Sequence, residues 1–301
     1  RWEAGLMWFK NARVYRFTDT WSGSEDQLNE KLAQTPFTGL TALQESAFGW
    51  VPPFKDSQML CEKVGDRLFI TAQIQEKILP ASVLNEQLAE KIDAVEEAEG
   101  RRPGRKEKDA LKEQLRAELL PRAFHKTRRT SAWIDLKHQW LVINAASEKV
   151  ADDVTAKLRE SIGSLPVIPV GKSVAGSAIL TEWFQQPERR PEGTELLEDL
   201  ELVMAEDPTI KARYRNLDLE APEIAHSLDS GMRIRQMGIV LNDNCQAVID
   251  DSFTLKRLKF TDTLIEQSAD SDDPRTDALL MSDALTDWLV KLAPQWRDTG
   301  I

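Results

Sequence analysis

Asp135-Leu136-Lys137 is the arrangement in this sequence that comes nearest to an enzyme pattern. At the end of a strand, an acid two residues before a lysine is half of a metal-dependent nuclease site. The carboxylate would hold Mg²⁺ and the lysine would stabilise charge developing on a phosphate. The other half, a carboxylate from the preceding strand region, is missing: Glu118 is available but falls in a helical stretch. An ordinary hairpin turn accounts for the pattern better. Val170-Gly171-Lys172-Ser173 ends like a phosphate-binding loop, but five residues before Gly171 stands Pro166, which has no N–H to offer a phosphate. His125, His138 and His226 are too scattered for a zinc spacing, and Cys61 and Cys245 read as structural thiols. There is no nucleophile elbow and no glycine-rich dinucleotide fingerprint. No catalytic residue, metal or cofactor is therefore expected.

The cations are more informative. From Arg101 to Thr130 there are eleven: Arg101, Arg102, Arg105, Lys106, Lys108, Lys112, Arg116, Arg122, Lys126, Arg128 and Arg129. Four anions share that window, which makes it +7, while the whole chain is −11 and the other 271 residues must carry −18. A local basic element inside an acidic molecule is either a solvated helical face or a surface for a polyanion. Arg105, Lys108, Lys112 and Arg116 recur at spacings of three, four and four, one stripe beside a row of leucines. Like charges four apart cost about 0.2–0.5 kcal/mol per pair, which Asp109 and Glu113 offset in part and a polyanion would offset further. Their stems could equally shield the leucines. A second set lies later: Lys211, Arg213 and Arg215 alternate, as do Arg233 with Arg235 and Arg257 with Lys259. Period two puts each set on one side of its strand, so the seven could share a sheet face, with Ala212 and Tyr214 on the buried side.

These side chains need elements to position them. Lys10–Phe17 and Arg67–Gln75 read as strands, and 24–34 as a helix capped by Ser24 with Leu28 and Leu32 inward. Gly49–Pro53 reads as irregular because of Pro52 and Pro53. Ser82 is placed as the cap of a helix carrying Leu84, Leu88, Ile92 and Val95, Gly100–Gly104 as a break, and Leu111, Leu115 and Leu119 on a second helix stopped by Pro121. Two narrow stripes fit helices packed on each other, a hairpin able to project with its basic break at the tip. Arg128–Asp135 and Trp140–Asn144 pair around Lys137, Ser147–Ile162 forms an amphipathic helix, and Pro166–Val170 leads out of that unit. Ile179–Phe184 is a short helix and 185–193 a polar linker. Glu195–Asp207 is acidic and carries no clear pattern. Ile210–Arg215, Met232–Leu241, Gln246–Asp250 and Thr254–Phe260 form one antiparallel sheet, Asp270–Asp273 an acidic loop and Ala278–Leu292 the last helix. The expected organisation is a leader (1–6) before Met7, a first α+β region (7–80 and 125–184), the basic hairpin (81–124) and a second α+β region (185–301).

At 301 residues the chain can build a core without staples. Two cysteines exclude a disulfide scaffold and fit a reducing cytoplasm. No apolar run approaches the roughly 18 residues of a membrane span, so no membrane partner is expected.

Several short stretches resemble RdgC, the bacterial recombination-associated DNA-binding family: Trp8–Asn11 with Val14–Arg16, Gly49–Pro53, Glu76–Pro80, Leu119–Phe124, Gly163–Val167, Leu180–Trp183 and Leu255–Phe260, in family order. The resemblance implies an α+β fold and a ring-shaped homodimer whose basic hole encircles double-stranded DNA without sequence preference. It implies modulation of RecA-dependent recombination at the nucleoid, with RecA as a possible partner, and no catalytic activity. Lys77, in the Glu76–Pro80 stretch, joins the DNA-contacting set. Phe124, ending the Pro121–Phe124 segment, becomes the candidate dimer anchor. Two rivals stand beside this reading: a metal-dependent nuclease using Asp135 and Lys137, and a protein–protein adaptor whose basic hairpin meets an acidic partner.

Overall fold

The computed structural model describes residues 8–172, 175–269 and 271–296; the expected leader, Ser173 and Asp270 lie outside the described residues. The chain is α+β. Its elements begin with β1 (Asn11–Phe17), α1 (Glu25–Leu32), β2 (Ser46–Val51), β3 (Cys61–Val64), β4 (Arg67–Ile78), α2 (Ala81–Glu99) and α3 (Arg105–Leu119). There follow β5 (Phe124–Asp135), β6 (Trp140–Ile143), α4 (Glu148–Ile162), β7 (Val167–Pro169), α5 (Gly176–Gln185) and β8 (Thr194–Met204). The last are β9 (Lys211–Arg215), α6 (Pro222–Asp229), β10 (Met232–Leu241), β11 (Cys245–Asp250), β12 (Leu255–Phe260), α7 (Asp262–Ala269) and α8 (Pro274–Leu292).

Two compact units result: Arg1–Leu32 with Pro52–Thr71 and Thr130–Ile301, and Ala33–Val51 with Ala72–Arg129. The long strands β4 and β5 contribute residues to both. In the first unit the strand order is β4-β5-β6-β1-β12-β11-β10-β8-β9, with β3 on β4 and β7 on β1. The ladders among β8 to β12 are antiparallel. One side of that sheet is apolar: Leu202, Ile234, Met237, Ile239, Ile249 and Leu255 form one buried cluster with Leu180, Trp183, Ile224, Leu285 and Trp288 from helices α5, α6 and α8. Burying side chains of this size contributes roughly 1.5–3 kcal/mol each, so the sheet cannot turn this face outward. The opposite side is left for polar groups.

In the second unit, β2, β4 and β5 are neighbours and α2 packs on α3. Leu84 on α2 and Leu115 on α3 are buried, and Gly100 ends α2 in the left-handed conformation at φ 68°, its N–H donating to Glu96 O at 2.9 Å.

Several expectations change. The chain does not become irregular at Gly49: β2 runs through Val51, and the prolines only end it. Pro80, not Ser82, is the N-cap of α2, and Ser82 sits inside the first turn. Pro166–Val170 is more than a connection, since β7 pairs with β1. The acidic stretch is strand β8, in the middle of a ladder, and α7 was not anticipated. Ser24 caps α1 as expected: its Oγ accepts from Gln27 N at 3.2 Å while Gln27 Oε1 accepts from Ser24 N at 2.9 Å.

The phosphate-loop lookalike has a packing role. A Cβ on Gly171 would strike the backbone of Ser252, and one on Gly176 the carbonyl of Asp251. Both glycines let the β7–α5 connection lie against the turn after β11, a close approach only glycine allows.

Candidate nucleic-acid interface

The α3 stripe forms as its spacing requires. Arg105 is exposed, and Lys108, Lys112 and Arg116 are half-buried. The tip differs from a free basic loop. Arg101 contacts Glu99 at 2.6 Å and Glu107 at 2.9 Å, and Arg102 contacts Glu96 at 2.8 Å. These bonds hold both arginines above their ordinary pKa and Glu107 below its own. Arg116 is bound to Glu45 at 2.7 Å. Among the described residues Arg105, Lys108 and Lys112 have no ion pair, so the hairpin, whose nine cations and ten anions nearly cancel, keeps its available cations mainly on α3.

Around the second unit's strands, Lys126 reaches Glu76 at 3.2 Å and Arg129 Nε donates to Gln73 Oε1 at 2.6 Å. Lys77 and Arg128 are half-buried and Arg122 is exposed. Phe124 opens β5 with 85% of its surface exposed. Within its own chain it fills no core.

The late cations do gather on the polar side of the first unit's sheet, with two breaks in the pattern. Lys211, Arg213 and Arg215 lie opposite Val203, Glu201 and Asp199 of β8, and Arg233 also lies opposite Val203. Residues directly opposite each other share a face. Arg235 falls at a register shift. On β12 strict alternation fails: Lys256 pairs with Val248 and Lys259 with Gln246, so one extra residue bulges between them, and Arg257 takes a φ of 53° there. The bulge therefore puts Lys256 on the same side as Lys259, whereas the sequence pattern had paired Lys259 with Arg257.

This face carries its own counterions. Glu201, buried to 7% exposure, binds Arg213 and has Arg235 at 3.9 Å. Asp199 lies 3.9 Å from Arg257, and Asp250 holds Lys256 at 2.7 Å. Among the described residues no ion pair occupies Lys211, Arg215 or Lys259. The acids of β8 and β11 were missed because their sequence signal is bare acidity; only the ladder register shows them beneath cations.

Asp135 ends β5 in the wall of a cavity that Lys137 and His138 also line. It is 1% exposed, with His138 Nδ1 at 3.0 Å and Arg67 Nε at 3.5 Å, and it accepts from His138 N at 2.8 Å. Arg67 continues to Asp283 at 2.6 Å and Ser282 Oγ at 3.0 Å. Lys137 is exposed on the turn. Glu118 belongs to Lys91 at 2.7 Å and to Gln114, which keep its carboxyl low. The two acids lie in different units and each already has partners. Among the described residues no group of three or more His, Cys, Asp or Glu is arranged to hold a metal ion. Burial raises both thiols, that of Cys245 to about 12, which leaves them inert. Among the described residues no helix is long and apolar enough to cross a membrane.

A family model described as "Putative exonuclease, RdgC" matches residues 7–295. The chain belongs to the RdgC family. Curated relatives agree, each named recombination-associated protein RdgC. The Aeromonas hydrophila protein is 38% identical over 277 residues, covering 90% of this chain and 91% of that one. The Mannheimia succiniciproducens and Pasteurella multocida proteins are 37% and 36% identical over 265 residues, 88% of this chain and 87% of theirs. The RdgC family's two descriptions, recombination and exonuclease, leave the chemistry to be argued from the side chains.

Proposed function

We propose that this chain binds double-stranded DNA without sequence preference, as a homodimer closed into a ring around the duplex. In this reading it modulates RecA-dependent recombination at the nucleoid by occupying the duplex that recombination needs. The observation that carries the reading is the set of cations that have no ion partner among the described residues, Arg105, Lys108 and Lys112 on α3 and Lys211, Arg215 and Lys259 on the sheet, in a chain of net charge −11. Phosphate contacts supply affinity without sequence information, and acidic surface elsewhere repels DNA. The exposed Phe124 is the proposed anchor for the second copy.

Non-catalytic binding fits Asp135 better than cleavage does, because its oxygens are engaged by Arg67 and His138. Incubation with supercoiled plasmid and Mg²⁺ tests this: DNA should remain intact, and nicking abolished by Asp135→Ala would restore the nuclease. A salt series on random-sequence duplex tests the binding. If six phosphates are neutralised, log K should fall against log salt with a slope of roughly −5. Ring closure is tested by washing loaded DNA with high salt. Covalently closed circles should retain protein while linear duplex releases it from its ends, because salt screens attraction but leaves a topological link. Equal loss from both would overturn the ring.

A further inference from the structure

We propose that the hollow in the second unit bordered by α2, α3 and the end of β4 is a docking pocket for an acidic peptide segment anchored by one aliphatic side chain. The cavity is about 180 Å³. Its floor is apolar, formed by the buried Leu84 and Leu120 with Leu79 beside them. Its rim carries Lys77, Lys112 and Arg116 against a single acid, Glu45, a net of +2. Glu45 is committed to Arg116 at 2.7 Å, and among the described residues Lys77 and Lys112 have no ion pair. Among the described residues the buried Nε of Arg116 has no hydrogen-bond partner. Lys77 N donates to Glu45 O at 2.8 Å, which ties the main chain of these two lining residues together, and Glu45 in turn holds the Arg116 side chain.

The chemistry selects the occupant. A phosphodiester backbone presents anionic oxygens but no aliphatic group, so it leaves the leucine floor unused. A drug-sized ligand needs about 300–1,000 Å³, more than this cavity offers. A peptide with carboxylates on either side of one aliphatic residue meets both the cationic rim and the floor. The proposal does not rest on the duplex reading, and the two can fail separately.

The test uses the full chain and two fluorescein-labelled nine-residue peptides, one with four acidic residues on each side of a leucine, the other with glycine replacing the leucine. Fluorescence anisotropy at physiological salt should show the leucine peptide binding about tenfold or more tightly, the effect of burying one such side chain. Lys112→Glu and Lys77→Glu should each weaken it by about tenfold with the melting temperature unchanged. Arg105→Glu, two turns away and beyond a Debye length, should change it by less than about threefold. No binding, equal binding of the two peptides, or an equal loss in Arg105→Glu would overturn the pocket. Leucine-dependent binding by a protein that fails to hold random-sequence duplex would support the pocket and sink the duplex reading; duplex binding without peptide binding would do the reverse.

Discussion

The Arg101 guanidinium, in the turn between α2 and α3, holds the Glu107 carboxylate at 2.9 Å, Nη1 to Oε2. That pair, together with Arg102 and Glu96, neutralises much of the tip and shifts the hairpin's available charge along α3. Replacing Arg105 and Lys108 by Glu should therefore weaken duplex binding more than replacing Arg101 and Arg102. In a salt series the first double variant should lower the magnitude of the log K slope by about 2, close to 0.9 per lost phosphate contact. Equal loss from both variants would return the tip to the contact surface.

The sheet face separates two kinds of cation. Changing Lys211, Arg215 and Lys259 to Gln should reduce the salt slope by about 3 while leaving folding intact. Arg213→Gln should instead lower stability, because it strips the nearest partner from the buried Glu201. An under-paired buried charge costs about 1–3 kcal/mol, readable as a lower urea midpoint. A stable Arg213→Gln protein with a reduced slope would reverse that assignment.

Phe124→Ala addresses assembly. Since Phe124 is 85% exposed in its own chain, truncation removes little internal packing. At an interface an aromatic anchor contributes about 2 kcal/mol, a loss of about thirtyfold in the dimer constant. Sedimentation should show that loss with the monomer's melting temperature unchanged. A lowered melting temperature with an unchanged dimer constant would move Phe124 into a core.

Asp250 governs an acid-sensitive turn. Burial pushes its carboxyl up, but Lys256 and Ser252 outweigh this and leave it below the ordinary value. Its Oδ1 accepts from Ser252 N at 3.0 Å, Ser252 Oγ at 2.6 Å and Thr254 N at 3.0 Å. A depressed folded pKa gives stability that is present above the unfolded value, about 3.9, and is lost as pH falls through the folded one. Asp251, raised by burial and by Asp250, works in the opposite sense. The urea midpoint of the wild type should drop on acidification below about pH 4, and that of Asp250→Asn should drop less. Parallel curves would remove Asp250 from the acid response.

Local periodicity carried much of this fold into the sequence. The α3 stripe, the β5–β6 hairpin and the strands β9 to β12 could be read because apolar spacing reports which face is inward. What escaped reading depends on partners far along the chain. Arg116 is neutralised by Glu45, 71 positions away, and nothing near either residue announces it. Acidic β8 looked unlike a strand because Glu201 and Asp199 are explained only by Arg213 and Arg257 above them. The bulge at Arg257 broke the expected pairing of Arg257 with Lys259, since one inserted residue shifts a period of two.

Gly171 and Gly176 press against the backbone of the turn that Asp250 ties together. Any side chain there must displace Ser252 or Asp251, so a saturation screen scored on recombination should return both positions as intolerant, with alanine as damaging as larger residues. Neither offers a charge to a phosphate. Read as a contact map, the genetic signal would draw DNA across a seam that is only a place where two stretches of main chain touch. Scoring protein abundance alongside recombination would separate such positions from Lys108 or Lys211, where loss of function should leave the amount of folded protein unchanged.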